Sequence, residues 1–558
     1  MNTRRLSLLL LTVLAACVPV HSTPALTPTA TPTQRPLPTP SPAPTSSPSD
    51  LYLTSEDVVL YPGPLLYSGD IVSFDVTPRN LGEIDPAELT VRILHRTSDG
   101  VEVVAEATTG HPTFDEVPRA RMTWTWDTTD LEGEQFLTAW LDPENRIHEG
   151  DEDPTNNRVL LTVQLRPASE RPLAEVTATW DMTTTDCCVF HYLTGTAAER
   201  DLAAIVATAE KGVDHVQSRL DYHPSKPLDI YLASRIIGHG GYVREGTTLS
   251  YLDRPYVGYD LETVIRHEAT HKLDAAIAGE DSIALIREGL ALWIAGGHFK
   301  PEPIPERAAA LIRLGWYIPL DQVTGDFYRQ QHEVAYLEGA ALVAYLIETY
   351  GWDEFRRFYD SFDSAHETPA EMLDVALAAT FGVGLAATEE DLLRWLQTFS
   401  PTPGQIRDLQ NTVDLFNAAR RYQELYDPSA HFLSGWLPNS AEARRQGIVA
   451  DLLRRPRAAE NVALETMLIA AQDALTAGDF IKTEAILDGV NEVLERGTFS
   501  DPLAADHLAI VRAVDAAGYE AQRIELEGES ARVQAIAEWP VLEELRLTRT
   551  SVGWTLRR

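Results

Sequence analysis

Cysteine is nearly missing from this chain. Three in 558 residues exclude a disulfide-built scaffold. Positive charge is scarce as well: Lys and Arg number 46 against 83 Asp and Glu, for a formal charge of −37. So acidic a surface suits neither phosphate backbones nor anionic headgroups, and no nucleic-acid partner is expected. Beyond the N-terminal segment there is no apolar run of about 18 residues, so no later span of a bilayer is expected. What is present is ordinary for folded proteins. Hydrophobic residues make up 44% and aromatics 8%, which rules out wholesale disorder. The length suggests about three or four domains.

Arg4 and Arg5 precede the apolar run Leu6 to Ala16, which ends Leu14-Ala15-Ala16-Cys17. A charged segment, a short apolar segment and small residues before a cut form an export signal. A cysteine directly after the cut resembles the bacterial lipobox. That resemblance implies a lipoprotein signal over 1–17 that is cut before its lipobox Cys17, lipidation of Cys17 as the new N-terminus, and an extracytoplasmic, lipid-anchored location at a bacterial membrane or cell surface. An ordinary signal peptide with an incidental cysteine is the alternative. Ten of the 33 residues over 18–50 are proline, and most others are Thr, Ser or Ala. Such a tract cannot bury a core and favours extended polyproline II, so it is expected to be a disordered stalk.

Residues 51–167 show short alternating runs such as Ile71-Val72-Ser73-Phe74-Asp75-Val76 and Leu89-Thr90-Val91-Arg92-Ile93-Leu94, separated by turn-rich pieces. Period-two strands between turns predict an Ig-like β-sandwich. The stretch Leu141-Asp142-Pro143-Glu144-Asn145, followed by Glu149-Gly150-Asp151-Glu152-Asp153 and Asn156-Asn157, resembles the hairpin of bacterial cell-adhesion-related (CARDB-like) domains. That family implies an accessory or adhesive unit with a cell-surface partner. The acidic cluster has the hard oxygens that suit Ca²⁺; a solvated hairpin is the plainer expectation.

The chemistry is expected over 175–400. Asp260 is placed to cap a helix whose apolar positions are Leu261, Val264, Ile265, Ala269 and Leu273. His267 and His271, four apart, project from one face and can grip one ion, with Glu268 beside them. This is His-Glu-x-x-His on a helix; two solvated histidines are the alternative. A second helical pattern runs from Ile283 to Ala295 and closes at Gly296-Gly297. Glu288 lies inside it, and a carboxylate in an apolar helix needs a partner. Sixteen residues separate His271 from Glu288, enough for one helix to end and a second to return. His267, His271 and Glu288 then form a three-ligand site for one zinc ion with an open fourth position.

His267-Glu268-Ala269-Thr270-His271 with Glu288-Gly289-Leu290-Ala291 resembles the gluzincin branch of zinc metallopeptidases. Tyr336-Leu337-Glu338-Gly339 and Tyr345-Leu346-Ile347-Glu348-Thr349-Tyr350-Gly351 narrow the resemblance to bacterial peptidase MA-like domains. It implies an α+β metallopeptidase domain, a peptide or protein substrate, and Glu268 as general base and then general acid. Tyr336 is either a donor to the tetrahedral oxyanion or a core aromatic. Asp274, on the histidine face, is a candidate acceptor for a histidine's second N–H; a surface aspartate is the alternative. Arg287 is a candidate partner for a carboxylate or substrate. The Gly-x-Met-Glu-Asn segment of aminopeptidases is missing, with Glu245 the nearest acidic candidate. Cys187 and Cys188, adjacent, could pair only with each other or with another chain; a vicinal disulfide is strained, so free thiols are expected, with a dithiol metal site as a further alternative.

Residues 401–518 read as a mainly helical region, with a tetratricopeptide-like hairpin turn at Ala474 to Phe480. Residues 519–558 alternate in period two and predict a small β-meander. The sequence thus points to a multidomain, membrane-tethered zinc metallopeptidase. The rival is a non-catalytic surface binding or adhesion lipoprotein that retains a relic zinc-peptidase fold.

Overall fold

The computed structural model describes residues 50–557 except 64, 83, 111–117, 235–239, 244–245, 276–281, 363–367, 428–429, 431–442, 444 and 446. The export signal, Cys17, the Pro-rich tract up to residue 49, and Glu245 lie outside the described residues.

The N-terminal region is a mixed β-sheet. Strands β1 (Val58–Tyr61), β2 (Leu66–Tyr67), β3 (Ile71–Val76), β4 (Thr90–Thr97), β5 (Gly100–Gly110), β6 (Arg119–Asp127), β7 (Gly133–Leu141) and β8 (Arg158–Arg166) pair in the order β1-β3-β6-β5-β4-β7-β8-β2. The ladders are antiparallel except for β2 with β8. Alternation sends Val72, Phe74 and Val76 from one half of the strand order, and Ile93, Leu137 and Leu165 from the other, into one core. The sheet therefore folds over on itself, each half covering the other's apolar face.

A five-stranded sheet opens the central region, with β9 (Trp180–Thr184), β10 (Cys188–Leu193), β11 (Leu228–Ala233), β12 (Gly241–Val243) and β13 (Thr247–Ser250) in the order β12-β13-β11-β10-β9. Its centre is parallel and both edges are antiparallel. Cys187 and Cys188 form a disulfide, where free thiols had been expected from the sequence. Helix α1 (Leu202–Leu220) buries Ile205, Ala209, Val213, Val216 and Leu220 along one face.

Helices dominate from there: α2 (Leu261–Asp274), α3 (Ala284–Ala295), α4 (Ile304–Leu314), α5 (His332–Tyr350) and α6 (Trp352–Tyr359). Asp260 caps α2 by accepting from the Thr263 N–H at 2.9 Å. Helix α3 ends at Gly296, whose φ is 80°. Helices α3 and α5 touch backbone to backbone: a Cβ on Gly289 would lie 2.4 Å from the Gly339 carbonyl oxygen, and one on Gly339 would lie 2.6 Å from that of Leu285. Only glycine at both positions allows this approach, which brings Glu288 on α3 up to Tyr336 on α5.

The C-terminal part packs α7 (Pro403–Tyr426), α8 (Ala459–Thr476), α9 (Phe480–Arg496) and α10 (Pro502–Ala516) ahead of a four-stranded antiparallel meander, β14 (Glu520–Glu527) to β17 (Gly553–Leu556). Buried ion pairs stitch it to the rest. Arg254, fully buried, pairs with Glu465 on α8 and with Glu520 at 2.6 Å. Arg454 pairs with Asp70 and with Glu175, each at 2.7 Å. No single described helix is long and apolar enough to cross a membrane.

Candidate metal centre

The four-residue spacing on α2 stacks His267 and His271 on one face, their Nε2 atoms 3.1 Å apart. Helix α3 returns with Glu288, whose Oε2 lies 3.1 Å from His271 Nε2 and 3.3 Å from His267 Nε2. A tetrahedral zinc ion with bonds of ~2.0–2.1 Å separates its ligand atoms by roughly 3.3 Å. Three convergent atoms at 3.1–3.3 Å therefore fit such an ion. The donor set, two imidazoles and a carboxylate, is also the chemistry zinc takes. Both Nδ1 atoms are buried and without a hydrogen-bond partner among the described residues.

Burial governs the electrostatics. It pushes His267 down to about 4. It works against charge on His271 too, but Glu288, Glu268 and Asp274 outweigh it and hold that ring up to about 9. Glu288 sits well below the usual carboxylate range; burial opposes this, and the two histidines overcome it. Glu268 is buried with no such donors, and desolvation pushes it up to about 8. Its side chain lies against the edge strand β12, where a Cβ on Gly241 would come within 2.8 Å of Glu268 Oε1.

Around this centre the structure adds groups that the sequence reading did not single out. The Tyr328 hydroxyl donates to Glu288 Oε1 at 2.9 Å and fixes the carboxylate's second oxygen. Tyr328 lies in a single helical turn, Phe327–Arg329, too short to carry a periodicity signal. Tyr336 is buried 6.2 Å, centroid to centroid, from the His267 ring and stacks on His298 at 4.7 Å. His298 and His332 form a second group with Glu333, their ligand-type atoms within 4.8 Å of one another. Glu333 hydrogen-bonds His298 Nδ1 and lies 3.9 Å from the Arg307 guanidinium.

Asp274 needs a correction. It is buried, but its Oδ2 accepts from the Tyr359 hydroxyl at 2.7 Å, not from a histidine. Lying on the correct helix face, it meets α6 first, and it reaches His271 only through its charge. Arg287 interacts with Tyr328 and only weakly with the Ser282 carbonyl at 3.5 Å.

No known family model matches this chain, and no curated protein matches it.

Proposed function

We propose that this chain is an extracytoplasmic, lipid-anchored zinc metallopeptidase, with an Ig-like, cell-adhesion-related β-sandwich ahead of a gluzincin-type catalytic domain. The convergence of His267, His271 and Glu288 at zinc-ligand spacing, with Glu268 one residue from a ligand, carries this assignment. Zinc in that position supplies Lewis acidity, lowering the pKa of a water and polarising a carbonyl oxygen.

The chain's own residues do the rest. Glu268 takes the proton of the attacking water and delivers it to the departing amine. Burial suits it to both tasks, because it raises the carboxyl's proton affinity toward neutrality. A peptide substrate is supported by the place of β12. This strand pairs only with β13 among the described strands, and its Gly241 lies against Glu268. An extended peptide added to that edge by main-chain hydrogen bonds would run past the base. To Tyr336, whose ring lies 6.2 Å from that of His267, we assign the hydrogen bond to the oxygen that gains charge.

The test is hydrolysis of casein by the zinc-loaded chain and by Glu268→Gln. The variant should keep its zinc and lose about 10²- to 10⁴-fold in turnover. Equal turnover by the two proteins removes the peptidase assignment, and so does an inactive but zinc-loaded wild type across a peptide library.

A further inference from the structure

The hairpin joining β7 to β8 carries a second, unrelated concentration of oxygen ligands. Asp142, Asp151, Asp153, Asn156 and Asn157 lie along it, and Asp50 approaches from the chain's entry into the domain. Asp50 Oδ1 accepts from the Asp153 N–H and Oδ2 from the Asn156 amide, each at 2.8 Å. Asp151 Oδ2 accepts from the Asn157 amide at 2.7 Å. These two bonds fix which way each asparagine faces, since a flip would set amide oxygen against carboxylate. The remaining oxygens are then left over. Asp151 Oδ1, Asn156 Oδ1 and Asn157 Oδ1 are buried and have no donor among the described residues.

These are not surface groups. Asp151 is 7% exposed and Asn157 2%. No Lys or Arg among the described residues pairs with Asp50, Asp142, Asp151 or Asp153. Burial raises the Asp151 carboxyl, and the charges of Asp50, Asp142 and Asp153 add to the rise while Asn157 opposes it. Asp142 and Asp153 have donors in the Ile147 N–H and in the Thr155 N–H and hydroxyl, but the buried Asp151 Oδ1, Asn156 Oδ1 and Asn157 Oδ1 have none among the described residues, and such acceptor-only oxygens suit a cation.

We propose that this hairpin binds a calcium ion through Asp151 and Asn157, with Asn156 and Asp50 beside them and water filling the remaining positions. Mixed carboxylate and amide oxygens in irregular loop geometry suit Ca²⁺; Mg²⁺ demands a stricter octahedron and keeps its water. The ion would fasten Asp50, the last residue of the Pro-rich tract, to the body of the β-sheet. Extracellular modules hold calcium at about 10⁻⁴–10⁻³ M, and a site with few protein ligands is expected in that range.

Calorimetric titration of the purified chain with CaCl2 in calcium-free buffer tests this. One saturable site with Kd at or below about 1 mM is expected, together with a calcium-dependent rise in melting temperature. Asp151→Asn should weaken binding at least tenfold, and Asp50→Asn, at the partly exposed rim, should weaken it less. His271→Ala should bind calcium like wild type, which separates this site from the zinc centre. No saturable heat up to about 10 mM, or an equal response to MgCl2, overturns the proposal. So does unchanged calcium affinity in both Asp variants. If wild type takes up no calcium and Asp151→Asn is fully stable, a proton on Asp151 serves the orphaned oxygens instead.

Discussion

Two His-His-Glu groups lie side by side in this molecule, and they differ in what already serves the carboxylate. Glu288 takes its direct contacts from imidazoles and a phenol, with the Arg287 guanidinium reaching it only through its charge. His267 and His271 contact one oxygen and Tyr328 the other, and no Lys or Arg of the described residues lies within ion-pair distance. Glu333 belongs to a dense charge network. Arg307 lies 3.9 Å from it, 3.2 Å from Glu302 and in contact with Asp408, which Lys300 also reaches at 2.7 Å. A buried carboxylate with a guanidinium beside it needs no metal; one without a fixed cation does. Residue type alone therefore does not distinguish a metal site from a buried ion-pair network. The count of permanent cations nearby does.

The sharpest way to break this contrast is metal content. The chain should hold one zinc equivalent, and Glu288→Ala and His271→Ala should lose it altogether. Glu333→Gln and His332→Ala should keep the full equivalent. Two equivalents in the wild type, or loss of zinc from Glu333→Gln, would make the two groups alike. Stability should divide them in the opposite sense. Arg307→Met leaves Glu302, Glu333 and Asp408 facing one another without their shared guanidinium, a loss of about 3–5 kcal/mol for a broken buried pair. Arg287→Met, beside the zinc group, removes no ion pair and should shift the urea midpoint far less.

How far the sequence revealed these two groups follows from how each is built. The first was legible because the i, i+4 rule puts His267 and His271 on one helix face, and because Glu288 stands out in an apolar helix. The second was not. His298 follows the end of α3, and His332 and Glu333 begin α5; no period links them. Helical phase also has limits. It placed Asp274 on the correct face but could not say that Tyr359 would arrive there first. The same holds for Arg254 and Arg454, whose partners lie more than 200 positions away. Strand alternation was legible in β4, where burial follows it, and in β3, although the fold buries the polar Ser73 and Asp75 of the other face as well. It was weak for β5, where Val101 and Val103 stay exposed.

Proton competition gives a finer separation. Without metal, His271 is held up to about 9, above the ordinary histidine value, so below pH 9 the ring keeps a proton that a metal must displace. Zinc affinity should therefore rise about tenfold per pH unit as pH increases toward 9, and binding at pH 7 should release about one proton, measurable from titrations in buffers of different ionisation enthalpy. A flat affinity profile from pH 6 to 8 would mean that His271 is already neutral.

The smallest effect comes from the second group. Burial holds His332 well below the ordinary range, and His298 and Arg420 add to the depression. Its folded pKa is therefore lower than its unfolded value of about 6.5. Above pH 6.5 neither state binds the proton and the group is silent. Below it the unfolded chain gains a proton that the fold refuses, so stability falls as pH drops, by at most about 1.4 kcal/mol per unit for one group. His332→Gln keeps a polar side chain without titrating, so it should flatten the decline in urea midpoint between pH 6.5 and 5. An unchanged decline would assign that loss to other buried histidines, of which His507, pushed down to about 3 by burial on α10, is the leading case.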